Sequence, residues 1–196
     1  MTNIVLETNR HPEDSAMLQA LYSRSAKSVE EHKEKLKNTP SGTFMETYYV
    51  GYGHASIGEC AQFVLFLEDI PILTALKIQE TPLYRGQERS TRYVEMDKMR
   101  VSPLLDDQKE ELQPRLDLAS EVYKFHTVRL TQDGLPPKQV HVAACDLSRG
   151  FLPLGTATSL SWATDIRTFR DHVTAILCSE LPPWERAWFL RLWEVV

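Results

Sequence analysis

From Asp106 to Thr131 the chain reads as one amphipathic helix, with Leu112, Leu116, Ala119, Val122, Tyr123 and His126 on neighbouring turns. Asp133-Gly134-Leu135-Pro136-Pro137 stops it. A helix this long needs other apolar elements to cover its buried face, and the rest of the sequence supplies them. Phe63-Val64-Leu65-Phe66-Leu67 is aromatic and β-favouring, the pattern of a buried strand. Pro71 to Gln79 has helical composition with Pro71 suited to a first turn, and Pro82 stops it. Lys138 to Ser148 predicts a further helix with Val142 and Cys145 inward. Leu152-Pro153-Leu154-Gly155 is a break, and Thr156 to Trp162 is rich in hydroxyls and extended. Thr164-Asp165 is suited to cap a last long helix through Ile176, and Leu181-Pro182-Pro183 introduces a tail helix carrying Trp184, Trp188, Leu192 and Trp193. That tail is expected to pack on the core or on another subunit.

At the other end, Ile4 to Leu6 is a short strand or a lead-in. Ser15 to about Asn38 is helical, with Met17, Leu18, Leu21, Tyr22 and Val29 at helical spacing. Ser28 and Glu31 have the spacing of a capping box that opens a second, polar helix, and Thr39-Pro40-Ser41-Gly42 ends it. No repeat or low-complexity linker divides the chain, so residues 1–196 are expected to form a single α+β domain.

With 42% apolar and 25% charged residues, extensive disorder is excluded, and 196 residues suffice to bury a core without disulfides or metal. The formal net charge of −5 argues against a broad nucleic-acid surface, so any anion site must be focal. Cys60, Cys145 and Cys178 are odd in number and far apart, which fits reduced thiols. The N-terminus lacks the blocks of a signal peptide and no apolar run is long enough for a bilayer. The expectation is a cytoplasmic protein with no membrane or nucleic-acid partner.

Arg85-Gly86-Gln87-Glu88-Arg89-Ser90-Thr91-Arg92-Tyr93 is the segment least explained by folding alone. Guanidinium forks bind phosphate oxygens in pairs, hydroxyls donate further bonds, and a glycine allows close backbone approach. The segment is either an anion site or a solvated, salt-bridged turn. Asp146-Leu147-Ser148-Arg149-Gly150-Phe151 places a second arginine at a helix end. Arg149 either complements that terminus or reaches the same pocket as Arg92. We expect Ser90, Arg92 and Arg149 to form one anion pocket. His54-Ala55-Ser56-Ile57-Gly58-Glu59 gathers an imidazole, a hydroxyl and a carboxylate, which either bind a polar ligand, with Glu59 a possible general base, or serve only as structural caps. His141 and Cys145 lie four apart, but two ligands do not make a metal site. Ser90 follows Arg89 rather than sitting in a glycine-flanked elbow and no His–Asp partner is indicated by local spacing, so the case for a hydrolase triad is weak, and a P-loop is absent.

Taken in order, these clusters resemble the flavin-dependent thymidylate synthases. The resemblance rests on Gly53-His54 with Ser56 and Glu59, on Ser90-Thr91-Arg92-Tyr93, on Arg149 before Leu152-Pro153, and on Thr158, Trp162 and Arg167. It implies an α+β domain of that type, an antiparallel or mixed sheet with long helices, assembled as a homotetramer. It also implies FAD at subunit contacts, methylene-tetrahydrofolate as one-carbon donor, NADPH, and a pyrimidine nucleotide methylated at C5. By position, Lys77, Glu88, Ser90, Thr91, Arg92 and Arg149 would bind the nucleotide, with Arg92 and Arg149 in the catalytic role, while His54, Ser56, Glu59, Tyr93 and Asp171 would belong to the flavin region.

The chain departs from that pattern. The family's signature opens with arginine, histidine, arginine, which bind flavin and folate; Glu80, Thr81 and Pro82 stand there. Lys77 replaces a glutamine, Asp171 an asparagine, and Ile176 an arginine that contacts the base. These changes imply weak or altered FAD binding and a changed substrate, such as a ribonucleotide or an antibiotic precursor. The alternative is a non-catalytic nucleotide-binding paralogue that regulates or assembles with an active partner, or one half of a tandem protein.

Overall fold

The computed structural model describes residues 4–7, 11–25, 27 and 29–196. Its elements, in order, are β1 (Ile4–Glu7), α1 (Pro12–Tyr22), α2 (Val29–Asn38) and α3 (Ser41–Met45), which runs into a π-helical turn at Glu46–Gly51. Then come α4 (Ala55–Glu59), β2 (Gln62–Pro71), α5 (Ile72–Gln79), β3 (Arg85–Glu88), α6 (Lys109–Gln132), α7 (Pro137–Ser148), β4 (Ala157–Asp165), α8 (Ile166–Leu177) and α9 (Pro183–Val195). Short 3-10 segments lie at Met96–Lys98, Pro103–Gln108 and Arg149–Phe151. The described residues are mostly helical, with one small sheet of order β1-β2-β4-β3. Ile72 donates to Thr156 and Leu73 to Leu154, a register that makes β2 and β4 antiparallel.

The described residues gather into two compact units, and the chain passes between them within β2, after α5, within β3 and within β4. One unit holds Leu67–Glu80 and Gln87–Leu160. Here α6 packs along α7, burying Leu116, Ala119, Val140, Ala144 and Cys145. Asp69 interrupts β2 with a left-handed backbone, φ 58°. Its peptide is anchored by side chains: Ser159 Oγ accepts from its amide at 3.3 Å, Ser102 donates to its carbonyl at 2.6 Å, and Arg100 pairs with its carboxylate. These bonds offset the cost of that conformation.

The other unit holds Ile4–Phe66, Thr81–Gly86 and Ser161–Val196. Helix α1 packs on α2, α3 and α4 around Met17, Phe44, Met45 and Ile57, while α8 packs on α4 and α9. The tail helix lies on its own unit: Trp188, Phe189 and Leu192 are buried, and Trp193 stacks on Phe169 at 6.0 Å. The N-cap expected at Asp165 is present, since its carboxylate accepts from both the amide and the hydroxyl of Thr168 at 2.8 Å.

Several boundaries differ from the sequence reading. The first helix starts at Pro12 and ends at Tyr22, and Ser28 of the expected capping box lies outside the described residues. Helix α6 starts at Lys109 rather than Asp106, because Ser102 caps a separate 3-10 segment in which Leu105 leaves helical geometry. In α7 the inward positions are Val140, Ala144, Cys145 and Ser148, so Val142 is only half-buried. The arginine segment opens as β3 rather than as a turn, and Gly86 is what permits it: a Cβ there would lie 1.9 Å from the Ser161 carbonyl oxygen.

Candidate functional site

Beyond β3 the chain turns at Ser90, whose hydroxyl accepts from the Arg92 amide at 3.2 Å and whose carbonyl accepts from the Tyr93 amide at the same distance. This turn sends Arg92 toward α7, where its guanidinium donates to Asp146 Oδ2 at 2.8 Å. Arg149, one turn further along, pairs with Asp146 Oδ1 at 3.0 Å. Two cations from separate segments thus meet on one carboxylate. Each guanidinium has five N–H donors, so capacity remains for a second anion. Of the expected trio, Arg92 and Arg149 are brought together on Asp146, while Ser90 bonds the Arg92 amide within its own turn. Asp146, the residue that joins them, was not among the expected site residues; its spacing three before Arg149 was the available signal.

Glu88 is fixed nearby in the chain by Gln79, which donates to Oε2 at 2.7 Å, and by Thr158, which donates to Oε1 at 2.9 Å. Arg89 is held by Ser159, through its guanidinium to the hydroxyl and its amide to the carbonyl, both at 2.8 Å. Lys77 sits half-buried on α5 and Thr91 half-buried in the turn, while the Tyr93 ring is 71% exposed. Within the arginine segment, Arg92 is salt-bridged to Asp146 while Arg89 bonds Ser159, so the two guanidinium groups go to different partners.

In the other unit a cleft of about 470 Å³ contains Glu59, Arg167, Asp171 and His172 from α4 and α8, with Thr81, Pro82 and Leu83 from the turn after α5. Arg167 pairs directly with Glu59 and lies 3.8 Å from Asp171. Arg170 holds Asp171 as well, at 2.7 Å, and covers the Tyr49 ring at 5.4 Å. Burial pushes the Tyr49 phenol above its usual range, with the Arg170 charge opposing. His172 stands edge-on to buried Trp162 at 5.9 Å. Two expected flavin-region residues, Glu59 and Asp171, and two altered signature positions, Thr81 and Pro82, thus share one cleft.

His54 and Ser56 are not among its lining residues, and His54 stands at the N-cap of α4 without a side-chain cap bond. His54 is exposed, stacked on Tyr48 and Tyr52 at 6.4 and 6.0 Å, and Arg24 donates to its Nδ1 at 3.1 Å, which places the ring proton on Nε2. Tyr48 and Tyr52 escaped the sequence reading because a π-helical turn at Glu46–Gly51 brings the two rings to 5.7 Å, and Arg24 because it reaches His54 across 30 positions. His141 lies 3.0 Å from the Tyr123 hydroxyl and 3.9 Å from the Cys145 thiol. Among the described residues no cluster of three metal-ligating side chains occurs. Ile176 faces the core, so α8 offers no cation at that position.

A sequence model of the family described as thymidylate synthase complementing protein matches residues 4–195. No curated protein sequence matches the chain. Among solved structures, thymidylate synthase X from Helicobacter pylori, crystallised with FAD and dUMP, is similar at TM-score 0.61 and 12% identity, covering 100% of this chain and 93% of that one. The UMP/dUMP methylase PolB from Streptomyces cacaoi, bound with 5-Br dUMP, is similar at TM-score 0.53 and 17% identity, covering 86% and 75%. Both share the fold of this chain.

Proposed function

The chain belongs to the thymidylate synthase complementing protein family, and from that premise we propose that it binds a pyrimidine nucleoside monophosphate and methylates it at C5. The observation that carries this reading is the convergence of Arg92 and Arg149 on Asp146, with Ser90 setting the turn. A phosphate dianion meets the same donors more strongly than a single carboxylate does, and charged hydrogen bonds of this kind contribute about 1.5–3 kcal/mol each. Glu88, held by Gln79 and Thr158, offers a fixed acceptor for sugar hydroxyls along the same segment. The solved relatives hold dUMP and a brominated dUMP, which supports a pyrimidine as the base.

A methylene unit needs a hydride to become a methyl group, and the resemblance gives these to methylene-tetrahydrofolate and to a flavin refilled by NADPH. The residues of the cleft do not fit the pyrophosphate of FAD: two carboxylates flank its one arginine, and Pro82 has no N–H to offer. Both compact units, assembled as a cytoplasmic homotetramer, are part of the proposal. The second reading, a nucleotide-binding paralogue without activity, is favoured by the buried Ile176, which offers no cation at that position of α8 for charge developing on the base.

Calorimetric titration with dUMP and UMP, and tritium release from C5-tritiated nucleotide, test both. Saturable binding that Arg92→Ala weakens by about 1.5–3 kcal/mol supports the nucleotide site, and unchanged affinity in that variant removes it. Binding without tritium release under reducing conditions with methylene-tetrahydrofolate selects the paralogue.

A further inference from the structure

We propose that the cleft beside α8 is a site for an uncharged, flat heteroaromatic ring and selects against phosphorylated forms of it; this rests on the flavin part of the reading above. Three devices that normally receive an anion are each offset by carboxylates, capped or absent. The first is the guanidinium of Arg167, which is paired with Glu59 and faced by Asp171, itself held by Arg170. The second is the N-terminus of α8, the natural seat for phosphate on a helix, where the Asp165 carboxylate accepts from the amide and hydroxyl of Thr168. The third is the backbone of the approaching turn, where Pro82 removes an N–H.

What the cleft does offer suits a ring. Pro82, Leu83 and Ala175 give apolar faces, Leu83 being 58% exposed in the chain as it stands. His172, steadied by Trp162, and Arg167 give polar edges without a net positive charge. A volume of about 470 Å³ lies within the range of small-molecule pockets.

The test compares riboflavin, FMN and FAD by quenching of their fluorescence on the full-length protein at neutral pH and fixed ionic strength. Riboflavin is expected to bind at least about tenfold more tightly than FAD, with FMN weakened as well, and the gap is expected to narrow as salt is added. Glu59→Gln and Asp171→Asn, both at exposed positions, should each raise FAD affinity more than riboflavin affinity, with folding confirmed by circular dichroism. FAD binding as tightly as riboflavin or more so overturns the proposal, and so does failure of riboflavin to bind. Nucleotide titration with Arg92→Ala reads the other unit alone, so failure there and failure here are separate results.

Discussion

Gly86 shows how one residue can decide a strand. Its missing side chain lets β3 come against β4 where Tyr84 also donates to the Ser161 carbonyl at 3.2 Å, and a Cβ would meet both the carbonyl oxygen and the Tyr84 ring. The blocking atom is backbone, which cannot rotate away. Gly86→Ala should therefore lower the stability of the chain by at least about 2 kcal/mol in urea titration, at the upper side of ordinary overpacking. The cysteines differ just as sharply. Cys145 is fully buried, and desolvation reinforced by Asp146 pushes its thiol above the usual range, whereas Cys178 is exposed. Because the thiolate is the reactive form, a disulfide reagent should modify Cys178 in the native protein and reach Cys145 only after unfolding. Mass mapping of the labelled peptides distinguishes the two.

Helix α8 depends on its cap. Asp165 satisfies the Thr168 amide and hydroxyl together, so Asp165→Ala should cost about 0.5–2 kcal/mol of thermal or urea stability, while Asp165→Asn retains most of it. This element was legible in the sequence, as were β2, α5 and the body of α6, because each carries its own signal: a cap, a proline at the start, an apolar period. The less legible elements depend on distant partners. Arg85–Glu88 is a strand only because β4 lies beside it, and the 3-10 segment before α6 is set by Ser102, whose amide donates to the Gly155 carbonyl at 2.9 Å. The candidate sites divide the same way. Arg92 and Arg149 were readable as cations seeking an anion, and the spacing of Asp146 three before Arg149 signals that pair, but Arg92 reaching Asp146 across the fold and the pairing of Glu59 with Arg167 across 108 positions have no local pattern to announce them.

For the molecule as a whole, α6 leaves Leu118, Phe125 and Val128 open along one face, with Phe125 and Val128 both more than half exposed. The proposed homotetramer gives this stripe a cover, and Phe125→Glu should shift sedimentation toward smaller species at micromolar concentration; wild type that sediments as a monomer defeats the assembly. Alkaline pH acts on the whole fold too. Burial raises the thiols of Cys60 and Cys145 and the phenols of Tyr49 and Tyr123 above their ordinary 9.0 and 10.0. The unfolded chain then loses these protons before the folded one does, so their contribution is intact below about pH 9 and declines above it. Melting temperatures measured from neutral to alkaline pH should fall once that limit is passed. The path of the chain has a further consequence, for synthesis. Each unit needs residues on both sides of the other's segments, and β4, which sits between β2 and β3, is made after both of them. At ordinary elongation rates the ribosome takes on the order of 5–20 s to travel from the end of β2 to the end of β4. During that interval the nascent chain carries an apolar strand with no neighbour on one edge, the state that chaperones recognise, and a stalled or truncated transcript yields a fragment with neither unit closed.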